Sequence, residues 1–161
     1  MELHKLDTET QVFFYEQDFY VLSNFSSFRL LYRGHDFDTS EHAYHWAKFC
    51  NVSDEADAVC GLIKRARSAH VAFKIAGQYK HLRRPDWDER KVHVMREILR
   101  AKIDQHEYVR NKLLATGDRQ LIEDSWRDDF WGWGPNRDGE NALGKLWMEV
   151  RTELRAAVAA A

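Results

Sequence analysis

The sequence predicts an α+β, mainly helical single domain with a short N-terminal β-sheet or hairpin. Three observations predict it. Aromatic and β-branched segments fill the first forty of 161 residues, the apolar period becomes helical from Ser40 onward, and no linker or repeat divides the chain. A chain of this length forms one core that removes about two thirds of its unfolded surface from water. The domain is expected over residues 10–155, with the Ala-rich stretch 156–161 as a frayed tail.

Gln11-Val12-Phe13-Phe14-Tyr15 and Phe28-Arg29-Leu30-Leu31-Tyr32 read as strands, and Arg33-Gly34-His35 supplies turn chemistry before Asp36-Phe37, which predicts a hairpin around Gly34. Helices are expected over Ser40–Cys50, Asp54–Arg67, Ser68–Tyr79, Asp88–Ala115, Asp118–Ser125 and Leu143–Arg155. In the fourth, Val92, Met95, Ile98, Leu99 and Ile103 recur three and four residues apart. Leu143, Leu146, Trp147, Val150 and Leu154 do the same in the last.

Composition excludes several classes. Hydrophobic residues at 44% and charged residues at 31% exclude a disordered chain, and no apolar run approaches the ~20 residues of a membrane span. A net charge of −2 argues against a dedicated nucleic-acid binder, which needs many uncompensated cations. The acidic start, Met1 to Thr10, lacks the order of a presequence, so a cytoplasmic address is expected. Cys50 and Cys60 read as buried thiols rather than as a disulfide framework. The eight histidines show no ligand spacing, so neither a metal nor a cofactor is expected. Aromatic residues reach 13%, with six Trp, three of them (Trp126, Trp131, Trp133) within eight residues.

Three segments could carry chemistry. Asp38-Thr39-Ser40-Glu41-His42-Ala43-Tyr44-His45-Trp46-Ala47-Lys48 opens a helix on which Glu41, Tyr44, His45 and Lys48 share a face. A carboxylate and an ammonium two turns apart could bracket a sugar phosphate. Asp38-x-x-Glu41 also fits a capping box, in which Glu41 does no chemistry, and His45 alone reads as a surface or packing residue.

In Arg83-Arg84-Pro85-Asp86-Trp87-Asp88-Glu89-Arg90-Lys91, Pro85 interrupts the preceding helix and Asp86 or Asp88 can cap the next. Trp87 is then either a hydrophobic staple or an aromatic pocket wall, and Lys80, Arg83 and Arg84 form a local positive patch. The third segment runs Trp126-Arg127-Asp128-Asp129-Phe130-Trp131-Gly132-Trp133-Gly134-Pro135, then to Asn141-Ala142-Leu143-Gly144-Lys145. Its glycines could let backbone approach a ligand while indole faces stack on a planar ring. Gly139-x-x-x-x-Gly144-Lys145 matches part of a phosphate-binding loop. Leu146 stands where Ser or Thr should hold magnesium, so only anion binding by the helix amides near Asn141–Gly144 survives.

Leu22-Ser23-Asn24-Phe25, Thr39-Ser40-Glu41-His42, Trp87-Asp88 with Lys91 and Met95, and Leu114-Ala115-Thr116-Gly117 are followed by Trp131-Gly132-x-Gly134 and by Gly139-x-Asn141-x-Leu143-Gly144-x-x-x-Met148-Glu149-Val150-Arg151. In that order, from about Phe13 to Arg151, the set resembles the NADAR, or YbiA-like, family. The resemblance implies a largely helical α+β fold and an N-glycosidase that hydrolyses the C1′–N bond between ribose or ribose phosphate and a base. Phosphoribosylamino-pyrimidine intermediates of riboflavin synthesis are the foremost substrates. The alternatives are removal of ADP-ribose from modified guanine, with ADP-ribosylated DNA as partner, or a noncatalytic module that binds NAD or ADP-ribose.

By the same resemblance Glu41, Trp87 and Asp128 are the catalytic positions. Asn24, Phe25, Trp131, Gly132, Gly134, Asn141 and Gly144 would bind substrate, and Lys48, from its place on the Glu41 face, would hold phosphate. Trp133 between the two glycines and the longer insertion Pro135-Asn136-Arg137-Asp138 depart from common members. Trp147 and Trp46 are expected to be structural. Trp87, Trp131 and Trp126 or Trp133 are expected to line a pocket for a planar base and its sugar.

Overall fold

The computed structural model describes residues 7–15 and 17–161. Its contacts form two compact units, one over residues 24–105 and the other over residues 106–161 with the segment ending at Ser23. The α+β, mainly helical class is confirmed, with six α-helices and four short strands among the described residues.

In the first unit, strands β2 (Leu30–Tyr32) and β3 (His35–Phe37) pair antiparallel, Tyr32 opposite His35. The turn is therefore Arg33-Gly34 alone, and His35, expected in the turn, belongs to a strand. Both turn residues have positive φ, 50° and 80°, the geometry a right-twisted two-residue hairpin requires. Leu30, Tyr32 and Phe37 face inward while Leu31 is exposed, as a half-buried ribbon demands.

Helix α1 (Ser40–Ala47) is buried along its whole length and packs against α2 (Asp54–Lys64), α3 (Ala69–Gln78) and α4 (Trp87–Gln105). The hydroxyls of Thr39, Ser53 and Ser68 accept the amides of His42, Ala56 and Val71, giving α1, α2 and α3 side-chain N-caps. Thr39, not Asp38, caps α1, which leaves Glu41 free of the expected capping box. Ala43, Ala47, Ala56, Ala72 and Ala76 are buried and let the helices approach closely. Met95, Ile98, Leu99 and Ile103 form the buried stripe of α4 as the periodicity predicts, with Val92 half-buried.

The expected continuous helix over 88–115 is broken. His106 is extended (φ −131°, ψ 102°) and caps a separate helix α5 (Glu107–Ala115). The Gln105 amide is committed to the hairpin edge, donating to the Leu31 carbonyl and accepting the Leu31 N–H at 2.8 Å each. That contact anchors the last turn of α4, and the chain leaves the helix one residue later.

In the second unit, β1 (Gln11–Phe13) lies parallel to β4 (Gln120–Ile122), Gln11 opposite Gln120 and Phe13 opposite Ile122. The helix expected over 118–125 is thus a strand, because its apolar Leu121-Ile122 pair finds a ladder partner 109 residues away. Tyr15 lies beyond β1, and Gln17–Leu22 forms a 3-10 turn. Helix α6 (Ala142–Ala160) buries Leu143, Leu146, Trp147 and Val150, with Leu154 half-buried. The Trp147 indole N–H donates to the Leu22 carbonyl at 2.9 Å, which fixes Trp147 as structural. α6 runs through the stretch expected to fray, since alanine is the strongest helix former. No helix among the described residues is long and apolar enough to cross a membrane.

Candidate active site

The first unit gathers Glu41, His45, Lys48 and Trp87. Glu41 sits in the first turn of α1, 8% exposed, and its amide donates to the Asn24 carbonyl at 3.0 Å. Asn24 is itself buried and its side-chain amide points at the Met95 sulfur, so this loop residue sets where α1 begins. One turn on, His45 Nε2 lies 2.6 Å from Glu41 Oε1. Burial pushes the His45 imidazole below its ordinary pKa, although Glu41 pulls the other way.

Lys48 caps the C-terminus of α1. Burial lowers its pKa to about 8, Glu41 opposes the fall, and Arg83, Lys80 and Lys91 add to it. Its Nζ lies 5.1 Å from the Tyr44 ring centroid and 5.8 Å from that of Trp87. The Arg84 amide donates to the Lys48 carbonyl at 2.8 Å, and Arg84 pairs with Asp86 at 2.6 Å. These bonds pin the turn before α4 to the end of α1 and set Trp87, its first residue, beneath Lys48. Asp86 is spent on Arg84.

Trp87 is 1% exposed and packs against Tyr44 at 5.2 Å. The ring expected to stack on a base is covered, with Tyr44 against it and the Lys48 ammonium over it. Phe25 is exposed. Trp46 is buried among Tyr32, His35 and Phe37, as expected of a structural residue. Cys50 and Cys60 are buried and free.

The other predicted positions lie in the second unit, in the loop before α6. Asp128 Oδ1 accepts the amides of Phe130 (2.9 Å) and Trp131 (2.8 Å), shaping the turn that presents Trp131. Trp131 is half-buried, edge-on to Phe130 at 4.9 Å. Trp133 packs on Phe13 at 5.6 Å, and Trp126 is 58% exposed under the Arg127 guanidinium. Neither indole belongs to the core stripe of α6.

Atoms of the chain itself approach these glycines closely. A Cβ at Gly132 would meet the Asp128 carbonyl and the Ser125 Cβ at 2.9 Å, and one at Gly134 would meet the Asp129 Cβ at 2.8 Å. At Gly144 it would run into the Leu121 carbonyl and the Asn141 amide group. Asn141, in a left-handed conformation, donates to the Leu121 carbonyl at 2.9 Å and accepts the Glu123 amide at 3.0 Å, tying α6 to β4.

Three of the amides expected to bind an anion are already engaged. The N–H groups of Asn141, Ala142 and Leu143 already donate to the carbonyls of Gly132, Phe130 and Trp131. Among the described residues no group of three His, Cys, Asp or Glu is placed to hold a metal ion.

The family model described as NADAR domain matches residues 13–155. The chain belongs to the NADAR family. It is 38% identical over 149 residues to the riboflavin biosynthesis protein VVA0006 of Vibrio vulnificus, a match covering 91% of this chain and 39% of that protein. It is 34% identical over 148 residues to the N-glycosidase YbiA of Shigella boydii, covering 92% of this chain and 89% of that one. The NMR structure of the E. coli protein YbiA matches with a TM-score of 0.81 and 32% identity, over 97% of this chain and 91% of that chain.

Within this NADAR chain, His45 is buried against Glu41 rather than at the surface, and Phe73, which was not among the expected site residues, lies beside it. Phe73, 53% exposed on α3, lies edge-on to the His45 ring at 5.9 Å. The i,i+4 spacing of Glu41 and His45 was the available signal for the first. Nothing local marks the second, because α3 and α1 meet only in the fold.

Proposed function

We propose that this chain is an N-glycosidase that hydrolyses the C1′–N bond between ribose phosphate and a base. The observation that carries the reading is the Glu41 carboxylate, buried and held at 2.6 Å by His45, on the same helix face as the Lys48 cation. In hydrolysis, water delivers hydroxide to C1′ and a proton to the departing nitrogen, through a transition state with positive charge at the sugar. Glu41 opposes that charge or takes the proton of the attacking water. Lys48 binds the 5′-phosphate, with Lys80, Arg83 and Lys91 adding to the local positive field. Tyr44 and Trp87 hold Lys48 in place.

A phosphoribosylamino-pyrimidine of riboflavin synthesis is the proposed substrate. Its support is the likeness to a riboflavin biosynthesis protein together with the cationic end of α1. The test incubates purified protein with this compound, with ADP-ribosylated guanine in a DNA oligomer, and with ADP-ribose. Release of ribose 5-phosphate from the first supports the reading. Release of ADP-ribose from the oligomer alone reassigns the substrate, and ADP-ribose held unchanged with no turnover elsewhere overturns hydrolysis. Glu41→Gln should fold and lose turnover by about a hundredfold or more.

A further inference from the structure

His45 follows Glu41 by one helical turn, and the two residues are 3% and 8% exposed. Nε2 makes the 2.6 Å contact with Oε1, whereas Nδ1 is buried and has no hydrogen-bond partner among the described residues. Tyr44 and Phe73 lie edge-on to the imidazole at 5.2 and 5.9 Å, which fixes the ring plane. These contacts select one protonation state. An imidazolium, or the tautomer protonated on Nδ1, would bury an N–H donor with nothing to accept it. The neutral Nε2–H tautomer leaves only an acceptor lone pair there and gives its proton to the bond with Glu41.

His42 makes the comparison. Its Nε2 faces the Ala66 carbonyl at 3.0 Å, which demands the same tautomer, and its Nδ1 is met by the Thr39 hydroxyl at 2.7 Å. The Nδ1 of His42 therefore serves the cap of α1, and its Nε2 ties that helix to the segment after α2. His45 spends its single donor on Glu41 and serves no cap.

We propose that His45 is a positioning residue for the hydrolysis: a neutral donor locked in the Nε2–H tautomer that holds Glu41 Oε1. Oε2, which carries no such bond among the described residues, is thereby left for water or C1′. The proposal rests on Glu41 being the reacting carboxylate. It makes His45 neither acid nor base, since its free nitrogen is sealed away from substrate.

The experiment has two arms. In the first, 15N-histidine NMR of the wild-type protein reads the tautomer directly. The expected result is a protonated Nε2 and an unprotonated Nδ1 for His45, and a protonated Nδ1 overturns the proposal even if no variant folds. The second arm measures kcat and KM on a phosphoribosylamino-pyrimidine for His45→Leu, His45→Gln and Glu41→Gln. His45→Leu, which cannot donate, should lose about tenfold or more in kcat with KM within about twofold. His45→Gln, whose side-chain amide can donate to Glu41, should return to within about threefold of wild type.

Equal damage in the Leu and Gln variants, or full activity of His45→Leu, overturns the positioning role. A fully active Glu41→Gln instead removes the carboxylate reading on which the role depends. A dead Glu41→Gln beside a fully active His45→Leu removes His45 alone.

Discussion

The ammonium of Lys48 is held over two aromatic faces, 5.8 Å from the Trp87 ring centroid and 5.1 Å from that of Tyr44. Burial has lowered its pKa to about 8, the field of Glu41 opposes the fall, and at neutral pH it is a cation. A cation restrained in this way is preorganised to meet a substrate phosphate.

Lys48→Met should therefore raise KM for a 5′-phosphorylated substrate by about tenfold, the equivalent of ~1.4 kcal/mol, and leave KM for its dephosphorylated form nearly unchanged. Because Lys48 is protonated below about pH 8 and neutral above it, the wild-type preference for the phosphorylated form should decay above that pH. Steady-state kinetics on the two substrates from pH 6 to 9 checks both statements. An equal rise in KM for both substrates removes the phosphate contact.

Lys102 sits at 0% exposure in the first unit, donating to the Ser26 hydroxyl at 2.9 Å, and burial lowers its pKa to about 7. Its folded pKa lies below the unfolded one of ~10.4, so the unfolded chain binds more protons between those values and stability rises with pH across that window. Below about pH 7 the cost of the buried cation is present in full. Urea unfolding at pH 7, 8 and 9 should show the rise. Lys102→Met should flatten it and be at least as stable as wild type at pH 7, because an apolar side chain there has no charge to desolvate.

Gly144→Ala should be among the most destabilising single methyl additions. The new Cβ meets the Leu121 carbonyl and the Asn141 side chain together, and neither can yield without breaking the link between α6 and β4. A loss of about 1–3 kcal/mol is expected from overpacking of this kind. Thermal unfolding compares it with Gly77→Ala, where a Cβ finds open space.

Asp128→Asn should preserve the loop that carries Trp131, since an amide oxygen accepts the Phe130 and Trp131 amides as a carboxylate does. Asp128→Ala should loosen it. Hydrogen exchange at residues 128–134 separates the two. Faster exchange in the Asn variant would show that the charge, rather than the acceptor, orders the turn.

Glu41, His45 and Lys48 were legible as one face because α1 is a local element whose period is written in eight consecutive residues. The stripes of α4 and α6 were legible for the same reason, and the ordered motifs from Phe13 to Arg151 pointed to the family that the comparisons show. The strand at Gln120–Ile122 was not legible. Its partner lies in residues 11–13, and no window around it contains the hydrogen bonds that make it a strand. The break at His106 is of the same kind, since it follows from Gln105 reaching Leu31 across 74 residues.

The surroundings of the glycines and of Trp87 were not legible for a related reason. A glycine between tryptophans reads alike whether a ligand or a carbonyl of the same loop will approach it, and a tryptophan at a helix entry reads alike exposed or buried. By itself, then, the sequence determined the family, the helical α+β class and the carboxylate and ammonium of α1, all carried by local spacing or ordered motifs. Only the tertiary structure decided that Trp87 lies under Lys48, that three amides at the start of α6 are engaged, and that His45 rather than a cap holds Glu41. Those facts depend on which buried donor finds which acceptor, and that pairing exists only once the chain has closed around it.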